Sequence, residues 1–257
     1  MKKVLILNYH LIDNGQYPFD HFGGIYAVTA AAFREQMEIL HRNSIPVIGL
    51  DELINGQVIE DFSVAITIDD GNPSDYDVVY PLLAENGFTS SFFLSVNNMQ
   101  KNGVYWKQYG EMLRDGFSIG SHGLTHSDLT TLEAGKALYE LTSSRQIVEE
   151  NTGARVNAFS LPFGRYNTGV LNMAAEAGYE AVLSTRFRLY QPGSGMLMDR
   201  WSIKRNTRPE DFERLVCNDK TLLRRYHFLS SAKNILISGM GSSLTNSLYT
   251  IKNRISG

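Results

Sequence analysis

One cysteine, Cys217, stands in 257 residues. That excludes an internal disulfide and any metal centre assembled from several thiolates, and leaves Cys217 to be read as a small buried hydrophobe. Long apolar runs are absent too, since no stretch approaches the ~20 near-continuous apolar residues of a membrane span. The apolar run at 4–7 follows Lys2 and Lys3 but stops at Asn8. It is too short for the core of a secretory leader, so it reads as a first strand and the expected location is cytoplasmic. Charge of one sign is equally scarce. Lys and Arg total 24 against 27 Asp and Glu, a formal net charge of -3, which argues against nucleic acid as the main partner. What remains is ordinary globular composition, 43% hydrophobic and 20% charged, at a length that fits one α/β barrel with a full core.

Within this composition two stretches carry chemistry. The run from Val64 to Ile68 reads as a buried strand, and it ends in Asp69-Asp70-Gly71, two carboxylates before a residue that lets the backbone turn. Neighbouring strand residues point to opposite faces, so the turn at Gly71 is needed to bring both acids to one site, in different roles. Further on, Ser121-His122-Gly123-Leu124-Thr125-His126 places two histidines four residues apart, on one face if the segment is a helical turn. Either motif alone is commonplace: a solvated turn, a pair of structural histidines. Together, one carboxylate and two imidazoles with positions left for water make a recurring site for a catalytic divalent cation, and the spare acid becomes a base.

In order, spacing and flanks these motifs resemble those of the polysaccharide deacetylase family of carbohydrate esterases, over residues from about Leu5 to about Phe212. The resemblance implies a distorted (β/α)7 barrel and a metal-dependent hydrolase that removes N-acetyl groups from amino sugars. Asp70, His122 and His126 would hold the metal and Asp69 would be the base. Tyr9-His10 after the first strand resembles a permuted branch that includes poly-N-acetylglucosamine deacetylases, which makes His10 the candidate general acid. Pro162-Phe163-Gly164-Arg165-Tyr166 resembles the third motif, so Pro162, Phe163, Gly164 and Tyr166, with Tyr9 and Trp201, are the expected substrate-binding residues. The chain departs from the family at Ser160, where many members carry an arginine paired with the base. Arg200, in Arg200-Trp201-Ser202-Ile203, matches the fourth motif of the permuted branch and is the expected replacement, with Arg165 a weaker one. Zinc is the expected ion, with Co, Ni, Mn or Fe as alternatives.

The rest of the chain alternates strands and helices, which implies a parallel sheet closed on itself. Thr29 is read as the cap of a helix over 30–42, and helices are expected over 73–86, 106–114 and 132–152, where Glu140, Ser143 and Ser144 show no evident chemistry. Residues 13–24 read as a loop at the site mouth whose Tyr17, Phe19 and Phe22, with Tyr26 beyond, could stack on sugars. Residues 1–215 form the expected catalytic domain and 216–257 an extension. Residues 220–257 hold Lys220, Arg224, Arg225, Lys233, Lys252 and Arg254 but no Asp or Glu, and are rich in Leu and Ile. That tail reads either as a helix packed on the barrel or as a peripheral contact with the inner membrane face. The partner is an N-acetylated glycan, polymeric, oligomeric or lipid-linked. Two other classes compete: a metal hydrolase of non-sugar amides, and a silent glycan-binding relative, which Ser160 alone favours.

Overall fold

The apolar run after Lys3 forms β1 (Lys3–Tyr9), buried from Val4 onward, in a computed structural model that describes residues 2–16, 24–57 and 60–239. Strands β2 (Ile12–Asp13) and β3 (Val28–Thr29) pair with each other beside it. Helix α1 (Ala30–Arg42) starts where the sequence predicts, with Ala32 N–H donating to Thr29 Oγ1 at 3.1 Å and Phe33, Met37 and Leu40 on its buried face. Helix α2 (Leu50–Ile54) leads to β4 (Phe62–Asp70), and before it Val47 forms a single parallel bridge to Val64.

The helix expected over 73–86 opens instead as a π turn, Asp75–Val79, before α3 (Tyr80–Glu85). Pro81 supplies the reason: it has no N–H to give and its ring collides with the carbonyl four residues back. A wider turn, closed by Tyr80 N–H on the Asp75 carbonyl, accommodates it. Strand β5 (Ser91–Leu94) is short, and a helix that sequence reasoning missed, α4 (Val96–Asn102), follows it up to Gly103 at φ 67°. Next come α5 (Trp106–Arg114), β6 (Ser118–Ser121), α6 (Ala134–Thr152), β7 (Ala158–Ser160), α7 (Thr168–Glu176) and β8 (Ala181–Leu183). The chain continues through β9 (Leu197–Met198), β10 (Trp201–Ser202), α8 (Pro209–Val216) and α9 (Lys220–Gly239).

Eight strands make one parallel sheet in the order β10-β1-β4-β5-β6-β7-β8-β9. Only Asp199 and Arg200 separate β9 from β10, so one segment pairs with β8 through its first half and with β1 through its second. The sheet's two ends are thereby joined, in the distorted (β/α)7 barrel that the family resemblance implies.

Period-two alternation sorts the strand side chains into an inner core of Val4, Ile6, Ala65, Phe93, Ala158 and Leu183 and an outer one, facing the helices, of Leu5, Leu7, Val64, Ile66 and Ile68. Each such burial contributes about 1.5–3 kcal/mol. The barrel is narrow at β6, where a Cβ on Gly120 would lie 2.4 Å from the Phe93 ring. Toward the carboxyl ends of the strands the interior turns polar, with Thr67, Asp69, Ser160, Ser184 and Arg200 all buried.

Two expectations about the carboxyl-terminal region change. Cys217 is exposed rather than buried. It caps the end of α8 after the buried pair Leu215 and Val216, where the chain turns through Asn218 at φ 61°. Helix α9 lays Leu222 and Leu223 into the core and packs Tyr226 against Phe187 and Trp201, at ring-centroid distances of 5.6 and 5.7 Å. Among the described residues no helix is long and apolar enough to cross a membrane.

Candidate active site and metal centre

Strand β4 delivers Asp69 into the barrel, 1% exposed, and the chain then turns through two successive left-handed residues, Asp70 at φ 87° and Gly71 at φ 72°. The turn thus begins one residue before the glycine. A side chain at Gly71 would place its Cβ 2.6 Å from Met99 Cγ, so α4 closes down on this turn. Asp70, His126 (φ 58°) and Phe163 (φ 61°) carry left-handed backbone that costs a non-glycine residue about 1–3 kcal/mol, and all three lie at this one site.

Asp69 is held by Arg200, which is fully buried. Arg200 Nη1 donates to Asp69 Oδ1 at 2.9 Å and Nη2 to Asp69 Oδ2 at 2.8 Å, a bidentate pair. Every other donor on the guanidinium is also used: Nη1 reaches Thr67 Oγ1 at 3.1 Å, Nη2 reaches Ser160 Oγ at 2.7 Å, and Nε reaches the Ser184 carbonyl at 3.1 Å. Ser160 Oγ in turn donates to Asp69 Oδ2 at 3.0 Å. Serine at 160 is thus small enough to leave room for an arginine arriving from the seam between β9 and β10. Burial alone would push the Asp69 carboxyl up, but the charges and hydrogen bonds of Arg200 and the nearby histidines override it and hold Asp69 below its usual range. Asp69 is an ionised, inward-facing carboxylate at neutral pH. Arg165 pairs elsewhere, with Asp128 Oδ2 at 2.8 Å.

Asp70, His122 and His126 converge, their nearest ligand atoms within 4.8 Å of one another. Both imidazole Nε2 atoms face Asp70 Oδ1, at 3.4 Å for His122 and 3.5 Å for His126. That oxygen is buried and has no hydrogen-bond partner, which in a closed structure costs free energy unless a cation meets it. His122 Nδ1 lies 2.7 Å from the Ser160 carbonyl; a carbonyl only accepts, so the proton sits on Nδ1 and the Nε2 lone pair is free for an ion. Burial, followed by the charge of His122, pushes His126 down to about 4, so it presents a neutral imidazole at neutral pH, whereas Asp69 and Asp70 raise His122 against its burial, so an incoming cation competes with a proton there. The donor set fits a divalent cation.

The two histidines do not share a helical turn, as their spacing suggests. Residues 122–126 form an irregular loop through Gly123 at φ 83° and His126 at φ 58°. Glu140 of α6 shapes it, Oε2 accepting the N–H groups of Leu124 and Thr125 at 2.9 Å each and Oε1 accepting the Thr125 hydroxyl at 2.5 Å. The other side is tied to α4, whose Val96 and Asn97 N–H groups donate to the carbonyls of Gly123 and Leu124. Glu140, read from sequence as helical filler, therefore positions the metal-ligand loop. Its sequence signal is a carboxylate on the helix face that also carries Ala137, Leu141 and Val148. Glu140→Ala is expected to lower metal affinity by about 10–100-fold and stability by about 1–3 kcal/mol, checked by metal titration and thermal unfolding.

The other expected site residues divide. His10 lies beside the cluster, its charge acting on Asp69, Asp70 and His126; its ring packs on Tyr26 at 4.8 Å, and its buried Nδ1 has no hydrogen-bond partner. Tyr9 is not with it. Strand alternation turns Tyr9 outward, fully buried against Phe33 with its hydroxyl donating to Gln36 Oε1 at 2.8 Å, which corrects its assignment to the substrate. Trp201 is corrected on the same grounds: one residue past inward-facing Arg200, it packs among Phe187, Phe212 and Tyr226. Phe163 is 45% exposed with its ring 5.0 Å from that of His126. Pro162 and Gly164 are buried beneath it, and a Cβ on Gly164 would lie 2.0 Å from Thr185 Oγ1. Tyr166, half-buried, accepts from Arg186 Nη1 at 2.7 Å. Tyr17, Phe19 and Phe22 lie outside the described residues.

The family described as polysaccharide deacetylase matches residues 57–182, a span that contains the Asp69-Asp70-Gly71 turn, both loop histidines and Pro162 to Gly164. The chain carries a polysaccharide deacetylase domain. Among curated relatives, the Bacillus subtilis protein YxkH is 28% identical over 188 residues, 71% of this chain and 64% of that one. A peptidoglycan-N-acetylglucosamine deacetylase of Bacillus cereus is 30% identical over 121 residues, 47% of this chain and 55% of that one. The deacetylase chain thus spans between about half and two thirds of these relatives' lengths. Among solved structures, the polysaccharide deacetylase BC0361 from Bacillus cereus superposes with a TM-score of 0.73 at 24% identity, over 84% of this chain and 69% of that one. The Streptococcus pyogenes deacetylase PplD, in complex with acetate, gives 0.71 at 22%, over 81% and 95%. Both likenesses concern the fold.

Proposed function

We propose that this deacetylase removes acetyl groups from an N-acetylated amino sugar within a poly- or oligosaccharide or a lipid-linked glycan, with a divalent cation held by Asp70, His122 and His126. The observation that carries the reading is the convergence of those three ligand atoms beside a buried carboxylate held ionised by Arg200. When bound, the cation supplies Lewis-acid polarisation of the acetyl carbonyl and a water of lowered pKa; an N2O donor set suits zinc first and Co, Ni, Mn or Fe after it.

Asp69 takes the proton of the attacking water as the new C–O bond forms at the acetyl carbon. A backbone N–H near Tyr166 is the candidate donor to the developing oxyanion. His10, on the rim beside Tyr26, gives a proton to the departing nitrogen as the C–N bond breaks, leaving acetate and a free amino sugar. A sugar substrate is supported by the exposed ring of Phe163 next to His126, since an apolar ring face suits the C–H face of a pyranose. It is supported also by the relatives, one named for peptidoglycan N-acetylglucosamine and a Bradyrhizobium protein named for chitooligosaccharide. The Arg200 pairing speaks for an active site over a silent binder, because the one feature that favoured the binder, Ser160, is here a partner of the arginine.

The test is elemental analysis together with acetate release from an N-acetylglucosamine oligomer, before and after chelation and after adding zinc back. Bound metal, with acetate release lost on chelation and restored by zinc, is the expected result. A metal-free protein that binds zinc no better than its His126→Ala variant would sink the metal centre. Hydrolysis of ureides or imides in place of acetylated sugars would move the substrate to non-sugar amides.

A further inference from the structure

Helix α9 is apolar on two sides, and the barrel satisfies only one of them. Leu222, Leu223 and Tyr226 face the barrel, where the first two are buried and the third packs on Trp201 and Phe187. At 100° per residue, Phe228 falls almost opposite that packed face, between Arg224 and Arg225, and Leu229 falls at the edge of the packed face, next to Leu222. Phe228 is 71% exposed and Leu229 52%, and both arginines are exposed.

An outward apolar stripe invites either another protein or a lipid surface, and charge separates the two. Residues 220–257 contain six Lys and Arg and no Asp or Glu, although the whole chain carries a formal net charge of -3. Acidic residues are thus excluded from the segment that, among the described residues, exposes Phe228 on its outward face and Leu229 at that face's edge. A self-complementary contact between two copies would bring the same basic patch to both sides, with no Asp or Glu of that segment to answer it. Large apolar side chains bracketed by arginines, with no carboxylate to repel phosphate, instead match an interface where rings enter the headgroup boundary and guanidinium groups meet phosphates.

We propose that the outward face of α9, centred on Phe228 between Arg224 and Arg225 with Leu229 at its edge, docks the protein on an anionic lipid bilayer surface. This surface is independent of the deacetylase chemistry, since none of these residues touches Asp69, Asp70, His122 or His126. The first half of α9 stays on the barrel, so docking leaves the catalytic domain folded and tethered at a set distance from the lipid.

Flotation of the full chain with two kinds of vesicle tests this, phosphatidylcholine alone and phosphatidylcholine with phosphatidylglycerol in equal parts. Wild type is expected to float with the anionic vesicles at low salt and to lose that binding as salt rises. Phe228→Ser/Leu229→Ser and Arg224→Ser/Arg225→Ser are each expected to lower the bound fraction about tenfold or more. Their thermal unfolding should match wild type, because all four side chains are solvent-facing. Wild type that floats with neither vesicle overturns the proposal, as does equal binding to both. Equal binding of wild type and both variants also overturns it. A dimer in sedimentation that Phe228→Ser/Leu229→Ser dissolves, without vesicle binding, would overturn it in favour of a second copy.

Discussion

Arg200→Met is expected to destabilise the protein by about 3–5 kcal/mol at neutral pH, the usual cost of leaving one partner of a buried ion pair alone. Nothing else in the barrel replaces the guanidinium, whose donors serve Asp69, Thr67, Ser160 and the Ser184 carbonyl. The pH dependence distinguishes this from simple loss of packing. In wild type the folded Asp69 pKa lies below its unfolded value, so its contribution is complete above the ordinary carboxylate range and is lost as pH falls through the lowered value. Without Arg200 burial dominates and the folded pKa rises above the unfolded one. The sign then reverses, and the variant gains relative stability as acid neutralises Asp69. Denaturant unfolding at neutral and mildly acid pH should show the deficit narrowing in acid. A deficit equal at both would mean that Asp69 and Arg200 are not coupled. Arg200→Lys should recover only part of the loss, because an ammonium cannot reach five acceptors in this planar arrangement.

Asp69→Asn is expected to lower acetate release by about 10²–10⁴-fold while bound metal is retained, because an amide cannot take the proton of water. The metal measurement belongs to the prediction. Asp69 is not in the ligand group, so metal retained by Asp69→Asn shows that the loop of His122 and His126 still forms around Asp70. Some stability is lost as well, since the amide turns an N–H toward Arg200 where a carboxylate oxygen stood. Folded, metal-loaded Asp69→Asn with acetate release within about tenfold of wild type would place the base elsewhere.

The candidate metal-ligand cluster was legible in the chain because it is built from short-range patterns. An apolar run ending in Asp69-Asp70-Gly71 and a histidine pair four residues apart are visible without a fold. Their conformation was not legible. The spacing of His122 and His126 fits a helical turn, yet the loop is set by Glu140, reaching from a helix beyond it, and by the N–H groups of α4. A hydrogen bond between segments distant in sequence leaves no local trace. Tyr9 and Trp201 show the converse limit, for a one-residue alternation decides whether an aromatic beside a functional residue faces the site or the helices.

The sequence by itself determined the elements and the chemistry on offer: parallel strands alternating with helices, a base and a ligand set in order, and a tail with no acidic residue. Tertiary structure alone decided the electrostatics. Arg200 stands far from Asp69 along the chain, and the sheet brings them together only because one segment pairs with β8 through β9 and with β1 through β10, which carries an arginine into the barrel opposite β4. The motif around Arg200 pointed to this pairing only by resemblance; the segment that closes the barrel is what sets its guanidinium against Asp69.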